Sequence, residues 1–204
     1  MLKPKPATYA DILALPEHLN GEIIDGELIV SPRPAPAHAL AAAEMIASLL
    51  PPFTVREGNG DRPGGWRIVF EPELHLGRDV LIPDLAGWRR ARMPTLPKTA
   101  WFELAPDWVC EVISPSSGRR DRVLKAPRYL AAGVDWLWLV EPAQKIVEVL
   151  QRVENRWVLA GNWGGSELDA RIPPFDAVPL DMSRWWEDEA EGVSDVEIAA
   201  SPDQ

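Results

Sequence analysis

One cysteine, Cys110, is all that 204 residues contain, so no internal disulfide can form. It falls inside an expected central strand, and burial is its expected role rather than reactivity. No apolar run reaches the roughly 20 residues of a membrane-spanning helix, and the N-terminus has no basic region followed by an apolar stretch. A cytoplasmic chain without membrane contact is the expectation. The three histidines, His18, His38 and His75, show no HExxH spacing, which argues against a zinc hydrolase. The glycines between positions 58 and 65 follow neither the GxGxxG nor the P-loop order. Ser114 and Ser116 lack the GxSxG turn of a serine hydrolase. A basic surplus is missing too. The net charge is -10, which argues against a broad basic surface for nucleic acid. Seven of the 31 acids, however, follow Trp186 without a single base, and the rest of the chain sets 24 acids against 21 bases.

What is present is a length and a hydrophobic share, 46%, sufficient for one domain with a sizeable core. We expect that domain to span residues 1–188, with an N-terminal arm over about 1–8 and an acidic, disordered tail over 189–204. Glu22 to Val30 reads as a hairpin turning at Asp25-Gly26. A helix from about Ala37 to Leu50 follows, with Leu40, Ala43, Ile46 and Leu50 on one side. Thr54 to Glu57 and Trp66 to Glu73 read as extended runs. Lys145 to Gln151 and Asn155 to Ala160 form a second, accessory hairpin. Ten tryptophans, some expected on exposed strand faces, make a homodimer surface plausible.

The chemistry centres on the stretch from Pro106 to Pro142. Trp108, Val109, Cys110, Val112 and Ile113 leave no solvent face, as in a strand covered on both sides, yet Glu111 sits among them. An unpaired buried carboxylate would rather take up a proton, so a cation, a metal or a second acid sharing that proton is required nearby. A helix from about Gly118 to Ala132 follows, capped by Ser116 or Ser117 and stopped by Gly133. Val123, Pro127 and Leu130 should pack on the sheet, with Asp121, Lys125 and Arg128 on another side. Pro127 costs about 3 kcal/mol inside a helix unless the helix kinks there. Upstream, Val80 to Trp88 is a second apolar run interrupted by Pro83 and Asp84. Two carboxylates on neighbouring strands repel unless something positive lies between them, and a hard cation is the usual answer.

The series Pro83-Asp84, Glu111, Ser114-Pro115-Ser116, Asp121, Lys125, Tyr129 and Gly133-Val134 resembles the Uma-type family of restriction endonucleases, a branch of the PD-(D/E)XK nuclease superfamily. The resemblance covers nearly the whole chain and is most specific from Pro106 to Pro142. It implies an α/β (α+β) fold, a restriction-endonuclease-like mixed central sheet flanked by helices. It also implies a divalent metal, Mg²⁺ with Mn²⁺ as a substitute, held by Asp84 and Glu111, with Lys125 as the third catalytic residue. In the superfamily the lysine stands two residues after the second acid. Here Ile113 occupies that place, and Lys125 on the following helix matches the branch. Where the family has an acid and two aromatics after Gly-Val, this chain reads Asp135, Trp136, Leu137 and Trp138.

By the same resemblance Glu22, His38, Ser114 and Asp121 are supporting candidates. Arg89, Arg90 and Arg92, following the Asp84 strand, and Arg119 and Arg120, opening the helix, are candidate nucleic-acid contacts, since arginine pairs bidentately with phosphate. The function implied is metal-dependent endonucleolytic hydrolysis of nucleic acid, with DNA the expected partner. The alternative is a catalytically silent nuclease fold acting as a binding or assembly module, with Glu111 and Lys125 as a buried ion pair and Asp84 bonded to strand-end amides.

Overall fold

The structure, a computed structural model, describes residues 5–32, 34–114 and 117–186. The tail expected over 189–204 and the candidate cap Ser116 lie outside them. In chain order come α1 (Tyr9–Leu13), the hairpin β1 (Leu19–Ile24) and β2 (Glu27–Pro32), α2 (Pro36–Phe53), β3 (Trp66–Phe70), β4 (Leu74–Leu76), β5 (Asp79–Leu81), β6 (Leu85–Arg89) and β7 (Trp108–Val112). A π-helix (Arg120–Lys125), α3 (Ala126–Ala132), β8 (Trp136–Glu141), β9 (Ile146–Val153) and β10 (Arg156–Gly164) follow. The result is the mixed α+β fold that was expected, built on two sheets.

The smaller sheet has the order β2-β1-β5-β4 and is antiparallel. Its hairpin turns through Asp25 and Gly26, both at positive φ, the requirement of a primed two-residue turn. The larger sheet has the order β10-β9-β8-β7-β6-β3, and only β7 and β8 run parallel. Their connection carries the π-helix and α3 over one face. On the other face Met45, Leu49 and Phe53 of α2 join Trp66, Trp108, Trp138 and Phe175 in one core cluster. Val109, Leu137 and Leu139 pack with Ile24, Leu81 and Tyr129 in the second. Burial on both faces explains why β7 reads as an apolar run broken only by Glu111.

The apolar run from Val80 to Trp88 is not one strand but two, in different sheets. Pro83 has no N–H to give to a ladder, and the chain crosses from the small sheet to the large one over Ile82 to Asp84. Thr54 to Glu57 forms no strand. The inward stripe of α2 is Ala41, Ala42, Met45, Leu49 and Phe53, rather than the expected Leu40, Ala43, Ile46 and Leu50. Leu40 and Leu50 are exposed. The stripe chosen carries Met45 and Phe53, so it fills more volume against the sheet. No tryptophan is exposed: six are buried and four are half-buried. That removes the tryptophan argument for a dimer surface. In the N-terminal arm, the Ala7 N–H donates to the Gly26 carbonyl at 2.8 Å and ties the described part to the hairpin turn.

Candidate active site

Leu85, the first residue of β6, pairs with Cys110 of β7, which brings Asp84, one residue before β6, to the end of β7 that carries Glu111, close enough for the two carboxylates to repel. The Val112 N–H donates to Asp84 Oδ2 at 2.6 Å, fixing the carboxylate against β7. The other oxygen, Oδ1, lies 2.6 Å from His38 Nε2 on the first turn of α2. With Asp84 ionised, that hydrogen bond needs the proton on Nε2.

Glu111 is 3% exposed and Lys125 1%. Lys125 Nζ lies 2.8 Å from Glu111 Oε1, 2.9 Å from Glu22 Oε1 and 3.0 Å from the Ile82 carbonyl. Tyr129 OH donates to Glu111 Oε1 at 2.5 Å, and the Ile82 N–H donates to Glu22 Oε1 at 2.8 Å. Asp121 is buried, with its Oδ1 3.3 Å from Arg120 Nε, which also stands 3.8 Å from Glu22 Oε2. The site is therefore a seam. Glu22 comes from the small sheet, Asp84 from the crossing, Glu111 from the large sheet, His38 from α2 and the cations from the π-helix.

The helix places these groups by turning a polar stripe inward. Asp121, Lys125, Ala126 and Tyr129 are buried, whereas Val123, expected against the sheet, is 55% exposed. The expected faces are thus exchanged, because the buried acids supply better partners for Asp121 and Lys125 than solvent supplies for Val123. Pro127 is accommodated without a break. The widened π-turn ends with the Ala126 N–H bonding to the Asp121 carbonyl, and Pro127 falls in the first turn of α3, where a missing N–H costs little.

Burial pushes the Glu111 carboxyl well above the usual carboxylate range. Lys125 works against that push, while Asp121, Asp84 and Glu22 add to it. Burial alone would lower the Lys125 pKa, but Glu111 and Glu22 outweigh it and hold the ammonium charged. The Tyr129 hydroxyl is raised by burial and then by Glu111. Four acids, Glu22, Asp84, Glu111 and Asp121, thus meet two fixed cations, Lys125 and Arg120. The surplus is negative, and its donors are hard oxygens. That chemistry fits a magnesium site of the water-rich kind, which uses one or two carboxylates. Among the described residues no group of three or more acidic, histidine or cysteine side chains is poised as a complete metal cage.

A sequence profile of the Uma2 family, described as "Putative restriction endonuclease", matches residues 7–183. The chain belongs to that family. Among solved structures, one described as a putative nuclease belonging to DUF820, from Anabaena variabilis, has a TM-score of 0.68 at 22% identity, covering 89% of this chain and 98% of that one. At that identity the likeness speaks for a shared fold. A comparison with curated proteins finds no match. Family and fold together support a nuclease role for this Uma2 chain.

The other candidates separate by place. Ser114 and Ser117 bond reciprocally, each side-chain oxygen taking the other's N–H at 3.0 and 3.2 Å, and this closes the turn into the helix. Arg89, Arg90 and Arg92 do not stand beside the acids. They lie at and beyond the far end of β6, with Arg89, its last residue, roughly 17 Å along the strand from Asp84 at about 3.4 Å per residue. Arg89 stacks on Trp66 at 3.9 Å, Arg90 donates to the Thr54 carbonyl at 2.6 Å, and Arg92 pairs with Asp107 at 2.8 Å. Arg119 is exposed at the helix start. Tyr129 was legible only as part of the resemblance; its bond to Glu111 has no signal in the sequence beyond the four-residue spacing after Lys125.

Proposed function

We propose that this Uma2 protein is a metal-dependent endonuclease hydrolysing phosphodiester bonds of DNA, with Asp84 and Glu111 holding Mg²⁺ or, in substitution, Mn²⁺. The observation that carries the reading is the convergence of Asp84, half-buried, with Glu111 and Lys125, both buried, from positions far apart in sequence to one seam with surplus negative charge. When bound, Mg²⁺ would lower the pKa of a coordinated water and offset charge on the phosphate. The protein's part is to fix the ligands. The Val112 N–H and His38 Nε2 hold both oxygens of Asp84 in place. Lys125 and Tyr129 orient Glu111 through Oε1, and Lys125 opposes the pull of burial toward the neutral acid. In the hydrolysis a water oxygen bonds to phosphorus as one P–O ester bond breaks; the water gives up a proton and the leaving alkoxide gains one. The proposal includes a homodimer, which would present one such site to each strand of a duplex and which light scattering would detect.

A second reading also has support. Glu111 and Lys125 do form a buried ion pair, and Asp84 does accept a strand-end amide, as a catalytically silent binding or assembly module would have them. Cleavage separates the two. Single-stranded and duplex DNA and RNA are incubated with Mg²⁺ or Mn²⁺ and with wild type, Asp84→Ala or Glu111→Ala. The nuclease reading expects cleavage by the wild type alone, reduced by at least about 10³-fold in either variant. Equal product in all three would dismiss it.

A further inference from the structure

An ammonium has three N–H bonds to give. Those of Lys125 face Glu111 Oε1, Glu22 Oε1 and the Ile82 carbonyl, all within 3.0 Å, and the side chain is 1% exposed. A phosphate oxygen could reach it only by displacing one of these, leaving a buried acceptor unpaired. Arg120 is placed differently. It opens the π-helix beside the C-terminal end of β7, and its side chain is 24% exposed. Its Nε faces Asp121 and Glu22, while among the described residues neither terminal nitrogen is hydrogen-bonded. Asp121, 2% exposed, anchors the inner edge of the guanidinium. The outer fork retains four N–H bonds, an arrangement matched to two oxygens of one phosphate.

Resting on the nuclease reading, we propose that Arg120 is the side chain that grips the scissile phosphate, bidentately through its two terminal nitrogens. Lys125 is then a positioning residue that acts through Glu111 and Glu22, and Asp121 orients Arg120.

The test compares wild type with Arg120→Gln, Arg120→Lys and Arg120→Ala. It uses a fluorescent DNA oligonucleotide, binding in Ca²⁺ by anisotropy across a salt series and cleavage in Mg²⁺, with thermal melting to confirm folding. Arg120→Gln is expected to weaken binding at every sequence tested and to lower the salt slope by about 1. Its kcat should fall by about 10²-fold. Arg120→Lys keeps the charge but not the fork and should recover binding more than kcat. Guanidinium added to Arg120→Ala should restore part of the cleavage, which a merely structural role would not allow. If wild type cleaves and Arg120→Gln binds and cleaves within about threefold of it, Arg120 is not the contact and the nuclease reading still stands. If wild type binds without cleaving and Arg120→Gln loses binding, Arg120 contacts DNA but no scissile phosphate, and this proposal is overturned together with the nuclease reading. If the wild type neither binds nor cleaves, both are overturned.

Discussion

Lys125 holds two carboxylates with one ammonium, and none of the three groups reaches water in quantity. Removing the cation leaves Glu22 and Glu111 buried without it, so Lys125→Met should destabilise the fold by about 3–5 kcal/mol in urea unfolding. Pairing it with Glu111→Gln should recover part of that loss, because the second change removes a stranded charge; a double mutant as weak as the sum of the singles would count against the ion pair. The Glu111 carboxyl gives a pH dependence of definite sign. Its native pKa is raised above its ordinary 4.5 by burial. Below 4.5 both states are protonated. Above it the native state holds the proton longer, so stability falls as pH rises through the window up to the raised native value. Melting temperatures of the metal-free protein followed upward from pH 4.5 should decline, and Glu111→Gln should flatten the decline. At this scale Glu111 was legible because a charge inside a doubly covered strand must be compensated. Glu22 and His38 drew weight only from the resemblance, since an acid on a hairpin and a histidine on a first helical turn are also ordinary surface residues.

The helix after β7 shows where periodicity misleads. The apolar spacing sends Val123 inward and puts Lys125 on another side of the helix, and it fails because the layer beneath is not apolar at this point: Glu22 and Glu111 supply partners there. The widened turn also departs from the 3.6-residue spacing on which the reading relied. The end of the same element was legible, since glycine is the residue that adopts a left-handed conformation without strain. Gly133 has φ 86°, its N–H bonds to the Leu130 carbonyl, and the Val134 N–H reaches back to Tyr129. No heavy atom lies within 4 Å of an added Cβ there. Gly133→Ala should therefore cost about 1 kcal/mol in equilibrium unfolding through the backbone alone. A loss of several kcal/mol would mean a packing role that the surroundings do not contain. Pro83 carries the opposite lesson. It was legible as an interruption, but not as a change of sheet, because β5 pairs with β4 and the distant β1 whereas β6 pairs with β3 and β7, and nothing beside Pro83 encodes that choice.

Across the molecule the acids converge where two sheets meet, and that seam is the part of the site least readable from the chain. Glu22, Asp84 and Glu111 belong to elements whose neighbours are set by strand order, and nothing local encodes that order. The arginines at and after the end of β6 illustrate the same limit, for adjacency in sequence suggested a shared site and a strand's length separates them from Asp84. If the seam holds the proposed cation, binding is a property of the whole fold. With four acids against Lys125 and Arg120, a divalent ion bound to the native state should lessen the repulsion between the two sheets, and unfolding should scatter its ligands. At a hundredfold excess over Kd such an ion stabilises by about 2.7 kcal/mol, several degrees in melting temperature for a chain of this size. Mg²⁺, Mn²⁺ and Ca²⁺ should each raise the melting temperature in proportion to the logarithm of concentration, with Na⁺ at matched ionic strength as the control. Asp84→Asn should abolish the rise while its own metal-free melting temperature is measured alongside. A rise equal in wild type and Asp84→Asn would place the ion elsewhere, and no rise with any of the three would leave the negative surplus balanced by protons on Glu111 instead.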